Sequence, residues 1–270
     1  MKLSLGPSRP APAPRPAPEP YVGEELVQLL TDAGPLWIPA ADGVMRPFLE
    51  ERGTWEPEEG MLLSEFFRPG LRFLDVGANV GYFSLFAAKH CPGARVHAFE
   101  PHPLTSKVLA LNAWASNADI TSHALALSDG DRVLALTTAE SNLGDTRARA
   151  TGAGTSLSPA APLDEVLPAA VFDLVKIDVQ GFEPEVIGGM AGMLERSPGV
   201  VVVAEFWPSA LRERDLDPIA VLHGYRKLGL QVRGQVGEHL STARPVEMVR
   251  ICDQAGPNGQ INLVLTRAGG

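Results

Sequence analysis

Phe73-Leu74-Asp75-Val76-Gly77-Ala78-Asn79-Val80-Gly81 is the stretch that decides the fold. The apolar run ending at Val76 predicts a buried strand, and residues 82–90 have the spacing of a helix. The first glycine lets the chain turn tightly, and Gly81 leaves room at the start of the helix. In an open parallel sheet, this turn at the carboxyl end of a strand is where a nucleotide-like ligand binds.

Strand and helix patterns alternate around this stretch. The predicted strands are 71–76, 94–99, 120–125, 133–137, 172–177, 200–204, 228–232 and 261–266. Helical patterns separate most of them, and Asp217-Pro218 is typical of a helix start. The alternation predicts an α/β fold with a mostly parallel sheet and helices on both faces.

Four segments depart from this alternation. Residues 1–20, with seven prolines in 7–20, predict a disordered tail. Residues 21–68 predict an N-terminal helical cap, with a helical pattern at 24–30 and a strand-like piece at 36–38. Residues 139–162 and 234–260 are expected to be irregular loops, of functional or mobile character. For 139–162 a disordered insertion is an equal expectation.

The composition narrows the class of partner. The formal net charge is −9, which argues against nucleic acid and against an anionic membrane surface. No apolar run is long enough to predict a transmembrane helix. The two cysteines, Cys91 and Cys252, have no metal-like spacing and suggest a reducing, cytoplasmic setting.

Acidic residues follow three of the predicted strands. Glu100 comes 23 residues after Gly77, where an acid can accept hydrogen bonds from both hydroxyls of a ribose. A turn-capping role for Asp75 and a surface role for Glu100 are the alternatives. Asp178 and Glu205 end two later strands and could share a reacting centre, or serve the structure alone.

Several motifs together resemble the FkbM family of S-adenosylmethionine (SAM)-dependent methyltransferases. They are Asp75–Ser84, Phe99-Glu100-Pro101, Ala126–Asp129, Leu163-Asp164 and Val175–Glu183, within a resemblance over residues 53–207 that includes Trp55-Glu56-Pro57. Gln180 departs from the acid that the family often has there. We expect this change to affect the substrate or the local polarity more than cofactor binding.

The resemblance implies a Rossmann-like class I methyltransferase fold over residues 69–270. Its seven-stranded sheet would end in an antiparallel strand, for which 261–266 is suited. By position, the cofactor-binding residues would be Glu56, Asp75, Gly77, Asn79, Gly81, Glu100 and Ala126. Asp75, Gly77, Asn79 and Gly81 would surround the methionine part of SAM. Glu100 would hold the ribose, Ala126 would lie near the adenine, and Glu56 would close over the cofactor.

The expected activity is methylation of a hydroxyl of a small-molecule natural product, such as a sugar, polyketide or peptide. Asp178 is the expected general base and Glu205 the second candidate, because an alcohol needs help to lose its proton. No metal is predicted, although paired carboxylates suit hard cations. N-methylation and a non-catalytic SAM-binding role are the alternatives, and the oligomeric state stays open.

Three other classes fit the sequence poorly. The G-x-N-x-G spacing is not the dinucleotide fingerprint G-x-G-x-x-G, and no Tyr-x-x-x-Lys pair occurs, so a nicotinamide oxidoreductase is disfavoured. No Gly-Lys-Ser/Thr motif is present for a phosphate-loop NTPase. Asp178-Val179-Gln180 also lacks the Pro-Pro-aromatic motif that base-modifying methyltransferases commonly have.

Overall fold

A computed structural model describes residues 25–139, 142–149, 156–237 and 239–267. The strands are β1 Leu26–Thr31, β2 Gly34–Pro39, β3 Arg72–Val76, β4 Arg95–Phe99, β5 Asp119–His123, β6 Ala126–Leu127, β7 Arg132–Ala139, β8 Asn142–Arg149, β9 Ser156–Ala161, β10 Leu174–Ile177, β11 Val201–Phe206, β12 Leu230–Val236, β13 His239–Ser241 and β14 Ile261–Arg267. The helices are α1 Met45–Arg52, α2 Pro57–Ser64, α3 Tyr82–His90, α4 Pro103–Ser116, α5 Leu163–Val166, α6 Glu183–Gly188, α7 Ala191–Arg196, α8 Pro208–Arg212, α9 Pro218–Lys227 and α10 Pro245–Gln254.

A central sheet organises the molecule, with the strand order β13-β12-β14-β11-β10-β3-β4-β5. Strands β5, β4, β3, β10 and β11 pair in parallel, whereas β14 runs antiparallel to both β11 and β12. The predicted α/β class and the antiparallel last strand are therefore confirmed. The short edge strand β13 is an eighth strand that the sequence did not suggest.

Both faces of the sheet are buried, which explains the apolar character of its strands. On β3, Leu74 and Val76 pack into one apolar cluster, while Phe73 packs into a second cluster on the opposite face. This division follows from the alternation of side chains along a strand. It also places the ends of β3, β4, β10 and β11 at one edge, since all four run in the same direction.

The N-terminal segment differs from the prediction at residues 24–30. Leu26–Thr31 is not helical but pairs with β2 in an antiparallel hairpin, and the strand-like piece at 36–38 is confirmed as part of β2. Leu36 and Ile38 are fully buried. Asn112 of α4 holds the hairpin, because its amide exchanges hydrogen bonds with the backbone of Trp37 at 2.8 Å. This long-range support overrides the local helical spacing.

A second sheet occupies most of the stretch expected to be a loop at 139–162. Its order is β6-β9-β7-β8, so the expectation of an irregular loop is wrong for the strands β8 and β9. In the paired strands β7 and β9, Leu134, Leu136 and Ala160 are buried. Ser, Thr, Gly and Ala residues obscured this alternation, because small residues signal a buried face weakly. Residues 140–141 and 150–155 lie outside the described part.

The stretch 234–260 is also more regular than expected. It contains the end of β12, the edge strand β13 and the helix α10. At the start of α10, the carboxylate of Glu247 accepts a hydrogen bond of 3.0 Å from the backbone N–H of Arg244. At α9, Asp217 accepts a bond of 3.0 Å from the N–H of Ile219, which confirms the predicted cap.

The predicted tail at residues 1–20 lies outside the described residues. Among the helices of the described ranges, none combines the length and the apolar character needed to cross a membrane. The division into tail, cap and single domain stays a prediction.

Candidate active site

A cavity of about 620 Å³ opens at the carboxyl ends of β3, β4, β10 and β11. Seven of the nine predicted site residues line it: Glu56, Gly77, Asn79, Glu100, Ala126, Asp178 and Glu205. Asp75 and Gly81 do not line it. The strand-end positions thus bring together side chains that lie far apart in the sequence, as expected for parallel strands.

Gly77 sits where β3 and β10 approach most closely. Its φ is +80°, and a Cβ atom there would lie 1.8 Å from the backbone oxygen of Asp178. The Gly77 N–H donates a 2.9 Å hydrogen bond to the carbonyl of Phe99. Only glycine meets both the backbone angle and the close approach. The turn therefore ties the ends of three strands into one floor.

Two buried oxygen atoms near this turn have no hydrogen-bond partner among the residues that the structure describes. Asp75 accepts a 2.6 Å bond from the Ser84 hydroxyl with Oδ2, but its Oδ1 is unpaired. Asn79 has a φ of +49° and an unpaired, buried Oδ1, and it lines the cavity. Burial raises the pKa of Asp75. Since Asn79 lines the cavity and Asp75 does not, a ligand can supply the missing donor to the Asn79 oxygen.

Gly81 has a different neighbour from the one the sequence suggested. It stands at the start of α3 with a φ of +91°, and a Cβ there would lie 2.6 Å from Cδ1 of Leu109 on α4. The structure therefore places Gly81 at the contact between α3 and α4. Gly81 does not line the cavity, whereas Gly77 and Asn79 do.

Glu100 lies at the end of β4 with a buried side chain. Its Oε2 accepts a 2.8 Å hydrogen bond from the N–H of Asn79, and its Oε1 accepts one of 2.8 Å from the N–H of His102. The Thr105 hydroxyl is a third hydrogen-bond partner of this carboxylate, which leaves a lone-pair position for a ligand hydroxyl. Burial raises the pKa of Glu100 to about 6, although these backbone N–H groups oppose the rise.

One end of the cavity is apolar. Its lining there comes from Phe99, Leu125, Ala126, Leu127, Leu134, Leu136 and Phe182. Leu134 and Leu136 belong to β7, so the second sheet closes this end. A flat, weakly polar ring such as adenine suits these walls.

The residues present fit SAM. The apolar end can take an adenine, Glu100 the ribose hydroxyls, and the unpaired oxygen of Asn79 a hydrogen-bond donor of the methionine part. The carboxylate of Glu100 can accept a hydrogen bond from a ribose hydroxyl. The fit rests on the chemistry of these groups.

Acidic side chains form another part of the cavity lining. We call Glu56, Asp178 and Glu205 the carboxylate wall. Glu56 reaches it from the N-terminal segment, where it precedes α2 in a left-handed backbone conformation with a φ of +42°. Burial, and then the charge of Asp178, raises the pKa of Glu56.

A buried lysine also lines this cavity, beside the carboxylate wall. The ammonium of Lys176 is 3.2 Å from Oδ2 of Asp178 and 3.6 Å from Oε2 of Glu59. It also lies 4.9 Å from the ring centroid of Phe83. Burial alone would lower the pKa of Lys176, but the carboxylates of Asp178 and Glu59 outweigh it and hold that pKa well above its usual range.

Gln180 connects two members of the wall. Its side-chain amide donates a 2.9 Å hydrogen bond to Oδ1 of Asp178 and one of 3.3 Å to Oε2 of Glu205. An acid at this position would add a like charge between two carboxylates. Gln180 instead places an uncharged hydrogen-bond donor between Asp178 and Glu205.

Glu183 is a supporting residue that the sequence analysis did not single out. Its buried Oε1 accepts hydrogen bonds of 3.1 Å from the N–H groups of Val179 and Gly181, which holds the loop after Asp178. Burial raises the pKa of Glu183 to about 7. Glu59 and Lys176 were missed as well, since neither ends a strand.

Carboxylate oxygens of Glu56, Glu59 and Asp178 lie within 4.8 Å of one another, a spacing that could hold a metal ion. The ammonium of Lys176 already pairs with two of these three groups. A divalent ion would have to enter beside this positive charge. The arrangement therefore favours the lysine as the counter-charge of Glu59 and Asp178.

Comparison with known proteins identifies a family. Residues 75–226, more than half of the chain, match the model described as the methyltransferase FkbM domain. A stretch of 46 residues, 17% of this chain, is 54% identical to the 31-O-demethyl-FK506 methyltransferase FkbM of Streptomyces tacrolimicus and covers 18% of that protein. A second stretch of 64 residues, 24% of this chain, is 41% identical to the AMB antimetabolite synthetase AmbE of Pseudomonas aeruginosa and covers 3% of it.

The matched stretches thus span less than a fifth of each of these curated relatives. Among solved structures, a precorrin-6y C5,15-methyltransferase from Geobacter metallireducens superposes with a TM-score of 0.47. The superposition covers 80% of this chain and 90% of that chain, at 14% sequence identity.

Proposed function

This chain belongs to the FkbM family of SAM-dependent methyltransferases, and we propose that it methylates a hydroxyl group of a small-molecule natural product. The observation that carries the proposal is the carboxylate wall beside the candidate cofactor cavity. A carboxylate there can take the proton that an alcohol must lose during methylation. The name of the Streptomyces relative, 31-O-demethyl-FK506 methyltransferase, supports an oxygen acceptor.

Each group of the site has a role in this proposal. When bound, SAM supplies a methyl group on a positively charged sulfur, and the electron pair of the C–S bond leaves with the sulfur. Glu100 holds the ribose, and Asp178 accepts the hydroxyl proton of the acceptor. Lys176 and Gln180 fix the carboxylate of Asp178 by contacts of 3.2 and 2.9 Å. Holding acceptor and methyl group in line supplies much of the rate.

Cofactor binding gives the first test. At 100 times its dissociation constant, SAM or S-adenosylhomocysteine (SAH) should add about 2.7 kcal/mol to the free energy of unfolding. For a chain of this size, that corresponds to a rise of about 5–10 °C in the melting temperature. A melting temperature that stays constant at saturating SAM would contradict the cofactor assignment.

Isotopic labelling tests the transfer itself. Metabolite extracts are incubated with the protein and methyl-labelled SAM, and mass spectrometry locates the label. We expect the label on an oxygen atom of a small molecule. Label on nitrogen would establish the N-methyltransferase alternative. SAM binding without any labelled product would favour a non-catalytic role.

Substituting Glu100 tests the ribose contact. Glu100→Gln keeps the shape of the side chain but removes its charge, so we expect SAM affinity to fall by about tenfold or more, as for a hydrogen bond to a charged group. Because the pKa of Glu100 is about 6, SAM affinity of the unsubstituted protein should also fall as the pH drops below that value. Calorimetry across this pH range measures both effects.

The pH dependence separates Glu100 from other acids. In Glu100→Gln the decline of affinity around pH 6 should be absent, since the titrating group is gone. Glu195→Gln, an exposed change on α7 with the same loss of charge, should behave like the unsubstituted protein. Equal affinities for all three proteins would remove Glu100 from the ribose site.

A further inference from the structure

A second cavity, of about 440 Å³, lies on the other side of the carboxylate wall. Glu56, Asp178 and Glu205 line both cavities, and so does Gln260. The wall is therefore a partition with one face toward the candidate cofactor cavity and one toward the second cavity. A methyl acceptor must approach the cofactor from a neighbouring space, and this cavity provides one next to the expected base.

The second cavity is strongly acidic. Besides the three wall residues, Glu58 and Glu59 contribute carboxylates to its lining, and Arg52 contributes a cation. Arg52 is exposed, and its guanidinium lies 4.7 Å from the ring centroid of Phe48. Glu58 is exposed as well, whereas Glu59 and Glu205 are buried. Such a lining repels an acidic ligand and attracts a cationic one.

Glu205 is a buried acidic side chain that lines both cavities. Its side chain is more than nine-tenths buried, at 8% exposure, and it forms no ion pair with any described residue. Burial, and then the charges of the carboxylates around it, with Asp178 the strongest, raises the pKa of Glu205 well above its usual range. Its hydrogen bond to Gln180 is 3.3 Å long. A positively charged donor placed beside this acid would favour its ionised form and pair with it.

Lys176 does not serve Glu205 in this way. Its ammonium pairs with Glu59 and Asp178, at 3.6 and 3.2 Å. Within the described ranges, Lys176 thus supplies a counter-charge to one part of the acidic cluster, and no cation pairs with Glu205. An external cation should therefore bind most favourably beside Glu205, on the side of the second cavity.

The remaining lining describes the rest of the ligand. Three uncharged amides line the second cavity, Gln235, Gln260 and Asn262, together with the apolar side chains of Ile251 and Ile261. Amide groups both donate and accept hydrogen bonds, which suits hydroxyl groups on a compact carbon frame.

We propose that the second cavity binds the methyl acceptor, and that this acceptor is a small polyol carrying a protonated amino group, which Glu205 holds. The amino group pairs with Glu205, the amides hold hydroxyl groups, and the hydroxyl to be methylated faces Asp178. This inference rests on the proposed function, whose acceptor it specifies.

Three sugars with the same ring form a matched set of probes: glucosamine, glucose and glucuronate. Titrated near neutral pH into the SAH complex, they differ mainly in charge. Methyl-labelled Ile251 and Ile261 report on the second cavity, and Met45 reports on the first. We expect glucosamine to shift the two isoleucine signals with a dissociation constant about tenfold or more below that of glucose, and glucuronate to bind more weakly than glucose.

Glu205→Gln tests the pairing directly. This variant should reduce the affinity for glucosamine to about that for glucose, while Glu195→Gln should leave the preference unchanged. The inference is overturned if glucuronate binds as tightly as glucosamine, or if glucosamine leaves Ile251 and Ile261 unshifted. Failure of the proposed function looks different, because SAH would then leave the Met45 signal unchanged before any sugar is added.

Discussion

Asp178→Asn should lower the rate of methyl transfer by about 10²–10⁴-fold, the usual contribution of a positioned general base. The asparagine keeps the size of the side chain and can still contact Gln180, but it cannot accept the proton of the acceptor. SAM affinity should change far less, because the groups assigned to ribose and adenine are untouched. Turnover with labelled SAM and calorimetric SAM binding measure the two quantities separately.

Asp215→Asn is the matched control for this prediction. Asp215 is exposed, has a φ of +58° and lies outside both cavities. Asparagine adopts this left-handed conformation readily, so the control should retain full turnover. If Asp178→Asn turns over as fast as the control, Asp178 is not the base, and Glu205 becomes the next candidate to test.

Gly77→Ala should give the largest loss of stability. Its methyl group would lie 1.8 Å from the backbone oxygen of Asp178, an atom held by the paired strands β3 and β10. Neither strand can move without breaking the sheet at its centre. We expect a loss of more than about 4 kcal/mol, the range reached by severe core overpacking. The melting temperature should fall by about 10 °C or more, or soluble protein should be lost.

Gly53→Ala separates the clash from the backbone conformation. Gly53 follows α1 with a φ of +68°, and a Cβ there would meet nothing within 4 Å. The left-handed conformation alone costs about 1–2 kcal/mol for a residue with a side chain. Similar melting temperatures for the two variants would mean that the turn after β3 yields, and that its close packing does not fix the cavity floor.

The central sheet could be predicted from the sequence because local residue patterns indicate its strands and helices. The run ending at Val76 is apolar on both faces of a strand, and the glycine that follows marks the turn. Since parallel strands end at one edge, Glu100, Asp178 and Glu205 could be placed at one cavity before any coordinates. The geometry of that edge follows from strand direction alone.

Other features depend on contacts that the local pattern does not contain. The hairpin of β1 and β2 forms on Asn112, which lies 75 residues from Trp37. Lys176 is a buried charged residue within the apolar strand β10. Nothing in the local sequence indicates that it pairs with Glu59. The second sheet pairs strands of small residues. In each case a distant segment supplies the stabilising contact.

The carboxylate wall also couples the binding of the cofactor to the binding of the acceptor. A positive charge on one face of Glu56, Asp178 and Glu205 reduces the field available to a positive charge on the other. SAM carries such a charge and SAH does not, so a cationic acceptor should bind the SAH complex more tightly than the SAM complex. By thermodynamic reciprocity, the bound acceptor should raise the affinity for SAH relative to SAM by the same factor. Excess acceptor would then slow release of the spent cofactor, producing substrate inhibition at high acceptor concentration.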